Sequence, residues 1–347
     1  PDEPIADEVR LPGVVLPAFV DPHCHTPMTL FRGAGEGLPV DRWLDEVMWP
    51  RESRLTPDDV VAGMALGAVE LLTAGVATTC EMYFHAPAIA EAAARVNLRT
   101  VVTAPFIEAP HFAGLGPVAD QLAAAVDHAE RYAGDPLVTV GLGPHSGYAL
   151  SADVLAAVAE LAERHDLLVH VHVAELPNEN AMTAHLGPTV VQGLDALGLL
   201  RSTTVAAHCV HVDEADLDLL AGRGVGVAHC PVSNMRHANG VAPLAAMTAR
   251  GIDVGLATDG PASHPRLDPF DEMRTAIRLH RVHSGDASVL DPADALRLMT
   301  AGGADVLGRP DLGRLLPGCR ADMVHLDPTR LGMGPVLEPA DLVAHLV

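Results

Sequence analysis

An α/β barrel of eight parallel strands is the fold class that the sequence predicts, and three observations predict it. Short β-branched apolar runs alternate with helical segments along the 347 residues, the pattern of parallel βαβ units rather than of hairpins. Eight such runs can be counted, the number that closes a barrel. Histidines and carboxylates stand at the ends of run after run. Core packing does not require them there, but the carboxyl-terminal rim of a barrel would gather them. Hydrophobic residues make up 49% of the chain, enough to fill a core of that size.

The first strand is the apolar run at 14–20, which leads into Asp21-Pro22-His23-Cys24-His25. Residues 26–57 follow, rich in Gly, Pro and charge, with Trp43 and Trp49 on an amphipathic piece. Such a segment reads either as a lid over a pocket or as a loop packed down by its tryptophans. A helix opens at Pro57-Asp58-Asp59 and runs to about 74, with Gly75 as its stop. Then come a strand at 77–83, a helix at 86–96, a strand at 99–106, a helix at 117–132 and a strand at 138–143. Ser151 and Asp153 open a helix to 165, before a strand at 167–173 and one or two helices in 178–200. Strands at 203–207, 225–228 and 254–257 alternate with helices at 213–221 and 244–250, and helices at 269–282 and 292–307 close the set.

Composition removes several function classes. A net charge of −23 repels phosphates and so argues against nucleic acid and anionic membrane as partners. All 22 basic residues are arginine. Without lysine there is no Schiff base, no P-loop lysine and no carbamylated lysine bridging two metals, so a metal centre here should be mononuclear unless a carboxylate does the bridging. The five cysteines, Cys24, Cys80, Cys209, Cys230 and Cys319, lack C-x-x-C spacing and read as reduced thiols of a cytoplasmic protein. No run is long enough to span a bilayer, and the opening residues do not read as a signal peptide.

The chemistry falls at the strand ends. His23 and His25, two apart, present both imidazoles to one point. The other ends carry Gly143-Pro144-His145, His170-Val171-His172-Val173-Ala174-Glu175, His208-Cys209-Val210-His211, His229-Cys230-Pro231 and Thr258-Asp259-Gly260. His23, His25, His172 and Asp259 make a plausible set for one divalent metal, Zn2+ before Fe2+, with room left for a water that the cation acidifies. Glu175 is placed to shuttle the proton, His208 to orient the water, Asp259 to share the proton work and His145 to meet a substrate heteroatom. His170, His211 and His229 read as structural.

Together with Met28-Thr29-Leu30-Phe31-Arg32-Gly33, Ala228-His229-Cys230-Pro231-Val232-Ser233-Asn234 and Phe270-Asp271-Glu272-Met273-Arg274, these motifs are specific. The chain resembles the metal-dependent amidohydrolase superfamily in its cytosine-deaminase-like branch, which includes S-adenosylhomocysteine/methylthioadenosine deaminases, guanine deaminase and the s-triazine hydrolases. The resemblance implies the same metal set, with Glu175 and His208 catalytic. It implies a barrel at 13–310 and a small β-sandwich shared by the chain ends, reduced or truncated here to a remnant at 1–12 and a returning segment at 311–347. Homo-oligomers are common in that branch. Two departures bear on substrate. The nucleoside-deaminating relatives carry a ribose-binding glutamate just after Met82-Tyr83-Phe84-His85, where this chain has Ala86, and arginines for a substrate carboxylate, which 103–118 lacks. S-adenosylhomocysteine is thereby disfavoured, and Glu108 or His111 could supply other contacts. Trp43, Trp49, Glu108 and Ser263 join His145 as candidate substrate contacts. The expected reaction is hydrolytic deamination of an amino-substituted purine or pyrimidine, or its nucleoside, a small heterocyclic partner. The alternatives are chloride or alkylamine displacement from a triazine and a non-catalytic binding subunit, against which the complete ligand set argues.

Overall fold

The computed structural model describes residues 13–329, 333 and 335–347; the expected remnant at 1–12 lies outside them. Among the described residues the strands are β1 Val14–Pro17, β2 Phe19–Cys24, β3 Val76–Glu81, β4 Arg99–Val102, β5 Pro105–Phe106, β6 Val138–Val140, β7 Gly143–Pro144, β8 Val169–Val173, β9 Thr204–His208, β10 Gly226–His229, β11 Val254–Leu256 and β12 Met323–Leu326. Two parallel four-stranded sheets, β2-β3-β4-β6 and β11-β10-β9-β8, form the wall. Parallel bridges join their edges, Cys24 to Asp259 on one side and Leu142 to Val169 and Ser146 to His172 on the other. The eight strands therefore close into a (β/α)8 barrel. β2, β4, β8, β9 and β10 are buried at every position, as strands with a packed interior and a helical jacket must be.

The predicted strands and helices recur with boundaries moved by a few residues, and the departures have local causes. The first run divides after Pro17: Leu16 and its neighbours pair antiparallel with β12, whereas the Phe19 amide turns to Gly75 and enters the barrel. The expected strand at 99–106 breaks into β4 and β5, the latter opening on Pro105, which has no amide to donate. The helix Pro231–Arg236 after β10 is short and begins on proline, so no apolar period marked it. Helix Pro57–Thr73 opens on a capping box between Thr56 and Asp59. Among the described residues, the small β layer expected of the two chain ends is the β1/β12 ribbon, and the last segment folds into the helix Pro339–Leu346 rather than a strand.

The jacket packs on the barrel through glycine. A Cβ at Gly303, which opens the helical turn Gly303–Val306, would lie 2.1 Å from the Val20 carbonyl oxygen. Neither backbone can withdraw without opening the seam between β2 and its covering turn. Gly303→Ala is expected to cost about 1–3 kcal/mol or more of stability, as overpacking does, read as a lower urea midpoint with an unchanged slope.

Candidate active site

At the carboxyl ends of the strands the rim places four imidazoles and a carboxylate around one point. His23 Nε2 and His25 Nε2 lie 3.4 and 3.3 Å from Asp259 Oδ1, and His172 Nε2 lies 3.3 Å from His25 Nε2. The ligand-capable atoms of His23, His25 and Asp259, and those of His23, His172 and His208, each fall within 4.8 Å of one another, all of them buried.

Which nitrogen faces the centre follows from what holds the other. His25 Nδ1 donates to the Met82 carbonyl at 2.6 Å and His172 Nδ1 to the His145 carbonyl at 2.8 Å. His208 Nδ1 donates to Asn234 Oδ1 at 3.0 Å. For His23 the order is set by a chain. Thr103 Oγ1 donates to the Glu81 carbonyl and so accepts from His170 Nδ1 at 2.9 Å. His170 Nε2 is then the acceptor for His23 Nδ1–H at 2.7 Å. All four rings are thus locked with an unprotonated Nε2 turned inward, as metal-binding histidines are. His23 Nε2 is buried and has no hydrogen-bond partner, and four inward lone pairs beside a carboxylate repel one another unless a cation sits among them. The donor set of imidazoles and carboxylate fits a divalent metal. His170, expected to be structural, is the residue that orients His23.

Backbone strain concentrates here. Ala174, His208, Cys209 and Asp259 hold positive φ of 51°, 73°, 48° and 57°, a region that side chains other than glycine's rarely adopt. The chain turns sharply at each strand end and aims the next side chain across the rim. At the first of these turns Glu179 accepts the amides of Ala174, Glu175 and Leu176 at 2.9, 2.7 and 3.2 Å.

Electrostatics follow burial. Burial first, then the Asp259 charge, pushes Glu175 up to about 8, with an opposing hydrogen bond from Asn239. Burial drives His23 down to about 3, and burial with the neighbouring imidazoles does the same for His145. For Asp259 burial pushes upward, but His23 and the surrounding histidines hold it well below the carboxylate range. A neutral acid and an ionised one thus stand at one rim, the division that acid–base chemistry uses. Glu175 Oε1 accepts from Asn239 Nδ2 at 3.1 Å and lies 3.8 Å from His208 Nε2.

Above the cluster lies a cavity that opens toward solvent. Its wall includes His25, His145, His172, Glu175, His208 and Asp259 below, with Trp43, Trp49, Glu52, Tyr83 and Tyr148 around them. Trp43 is pinned by its indole N–H to the Ala34 carbonyl at 2.9 Å, and the Trp49 ring centroid stands 6.1 Å from that of His145. Two of the sequence-predicted contacts lie elsewhere. Glu108 is exposed, and its carboxylate accepts the Ser151 amide at 2.6 Å, so it serves the start of the helix Ala152–His165. Ser263 is buried behind the rim and donates to Asp259 Oδ2 at 2.9 Å, which makes it an orienter of Asp259. Ala86 opens the helix Ala86–Arg95 and does not line the cavity.

Glu52 escaped the sequence reading. It is only 5% exposed, its Oε1 has no partner, and burial pushes it up to about 7. The available signal was its spacing: Trp49 and Glu52, three apart on the helix Trp49–Glu52, share a face. Asn234 and Asn239, which hold His208 and Glu175, were also missed.

A parallel barrel that gathers imidazoles and carboxylates into one buried, cation-demanding cluster is the frame of a metal-dependent hydrolase. The Amidohydrolase family model matches residues 14–345. The chain is 39% identical over 341 residues to the 5-methylthioadenosine/S-adenosylhomocysteine deaminase of Pelotomaculum thermopropionicum, covering 96% of this chain and 76% of that one. It is 39% identical over 333 residues to the 5'-deoxyadenosine deaminase of Methanothermobacter thermautotrophicus, covering 94% and 76%. Among solved structures, a zinc-bound adenosine deaminase from Xanthomonas campestris superposes with a TM-score of 0.91 at 34% identity, over 95% of this chain and 76% of that one. The chain belongs to the Amidohydrolase family. It is a hydrolase of carbon–nitrogen bonds outside peptides, a deaminase. No helix among the described residues is long and apolar enough to cross a membrane.

Proposed function

We propose that the chain hydrolytically deaminates the 6-amino group of an adenine nucleoside whose 5' position carries hydrogen or a small apolar group. The observation that carries this is Glu52, a buried carboxylate with an unpartnered oxygen on the cavity wall. Desolvated, with Tyr83 beside it and one oxygen without a partner, it can take donors from the ligand, and a ribose 2',3'-diol offers two side by side. Away from the histidine and carboxylate cluster, the wall around Glu52 is aromatic and aliphatic with no arginine, so a 5'-linked amino-acid carboxylate would be left without a partner. The names of the two relatives fit a nucleoside with a modified 5' end.

We infer that His23, His25, His172 and Asp259 hold one divalent cation per chain, zinc first. A cation held there would supply the acidification of a water at neutral pH. The protein's own groups do the rest. His208, aimed by Asn234, orients that water and faces the charge that develops at the attacked carbon. Glu175, neutral at rest, gives its proton to the ring nitrogen, takes one from the attacking water, passes that to the departing amine and recovers the hydroxyl proton as the carbonyl forms. Water and the amidine carbon yield carbonyl and ammonia, and Glu175 returns to its starting state. Chloride leaving a triazine needs no proton, so a carboxyl held ready to donate favours an amine leaving group. Asn239 keeps the Glu175 carboxyl pointed at His208 rather than at solvent.

The diol reading is tested by comparing 5'-deoxyadenosine with its 2',3'-dideoxy counterpart. The wild type is expected to prefer the former by ~10–100-fold in kcat/KM, the worth of hydrogen bonds to a buried charged group. Glu52→Ala should bring that ratio close to one. An equal preference in both proteins contradicts the assignment.

A further inference from the structure

The Phe270-Asp271-Glu272-Met273-Arg274 motif has no part in the chemistry above, yet Glu272 is wholly buried behind the rim. It stands in the first turn of the helix Pro269–Ser284 and reaches two different segments. Its Oε2 accepts the Val232 amide at 3.3 Å, one of the amides that the start of the helix Pro231–Arg236 leaves without an intrahelical partner. Its Oε1 lies 3.2 Å from His264 Nδ1, and His264 Nε2 lies 3.4 Å from Asp271 Oδ2. The Glu272 carboxyl and the His264 imidazole thus face each other, both buried, at ion-pair distance.

Each segment so held carries groups that aim the chemistry. Past Val232 the chain bears Asn234, which fixes His208, and Asn239, which fixes Glu175; the Asn239 amide also donates to the Asn234 carbonyl at 2.9 Å. His264 closes the loop after β11, its amide donating to the Gly260 carbonyl at 2.7 Å. In that loop Ser263 donates to Asp259. Glu272 therefore ties together the supports of His208, Glu175 and Asp259 without touching any of them.

We propose that Glu272 is a positioning residue for the deamination, clamping the segment after β10 to the loop after β11 so that His208, Glu175 and Asp259 stay in register; the proposal rests on the functional reading above. Glutamine can preserve both contacts, its carbonyl accepting from Val232 and its amide donating to His264 Nδ1. Leucine fills similar space and preserves neither. Two quantities are to be measured on the zinc-loaded protein: kcat and KM for 5'-deoxyadenosine, and the rate at which a chromophoric chelator captures zinc. Glu272→Leu is expected to lower kcat ~10–100-fold with KM unchanged and to release zinc faster, as loss of support behind metal ligands does. Glu272→Gln should recover most of both. A folded Glu272→Leu with wild-type kcat and zinc release overturns the proposal, and so does a glutamine variant as impaired as the leucine one. If Glu272→Leu does not fold, His264→Leu, which removes the loop arm alone, carries the same expectations. Wild-type protein that releases no ammonia from any nucleoside overturns the functional reading; an unchanged zinc release rate overturns the clamp.

Discussion

Glu175→Gln is expected to lose ~10²–10⁴-fold in kcat while keeping its metal. The size follows from what a positioned proton carrier contributes, and the selectivity follows from placement. Glu175 is outside the cluster of inward-facing donors and makes its contacts with Asn239 and His208. An amide of the same shape can still meet Asn239, so folding and metal content should be unchanged. It cannot give a proton to the ring nitrogen or carry one from the water to the amine, and a poor amine leaving group then has no acid. Metal analysis alongside steady-state kinetics decides the point. Turnover within a few-fold of wild type would remove Glu175 from the mechanism.

Stripping the divalent metal is expected to abolish turnover, by ~10⁴-fold or more, since both the attacking water and its electrostatic support depend on the cation. The same treatment should lower thermal stability. The four Nε2 atoms are fixed inward by bonds at Nδ1, so without a cation they face one another and Asp259 unpaired. A metal at ~1,000 times its dissociation constant contributes about 4 kcal/mol to the folded state. Calorimetry before and after chelation, with zinc added back, should show a drop and a recovery in the midpoint that parallel the activity. Full activity in protein shown to hold no metal contradicts the assignment.

The barrel was legible because its determinants are local and repeated: apolar runs of strand length, each followed by a helix, with polar residues confined to the ends. The cluster was legible for the same reason, since strand parity puts His23 with His25 and the barrel's polarity puts all such ends on one rim. What aims those side chains was not. Asn234 lies on a short helix begun by Pro231, Ala174 and Asp259 take left-handed turns without glycine to mark them, and His170 looks like any buried strand residue until Thr103 and His23 are seen on either side. Glu52 sits between Arg51 and Arg54 and reads as a solvated charge, although helical geometry turns it into the cavity. Glu108 and Ser263 were drawn toward the substrate by residue type, whereas a nearby backbone amide and the Asp259 carboxylate respectively claimed them. Strand periodicity reports which face a residue occupies. It does not report which of several polar partners a buried side chain will meet.

The most direct test of the central claim is ammonia release by the zinc-loaded protein from 5'-deoxyadenosine, measured beside adenine, S-adenosylhomocysteine and a chloro-s-triazine. The account predicts rapid, stoichiometric conversion of the nucleoside, with the free base and the carboxylate-bearing nucleoside far behind and no chloride from the triazine. Full zinc occupancy with no ammonia from the nucleoside, or chloride release outpacing it, would contradict the account.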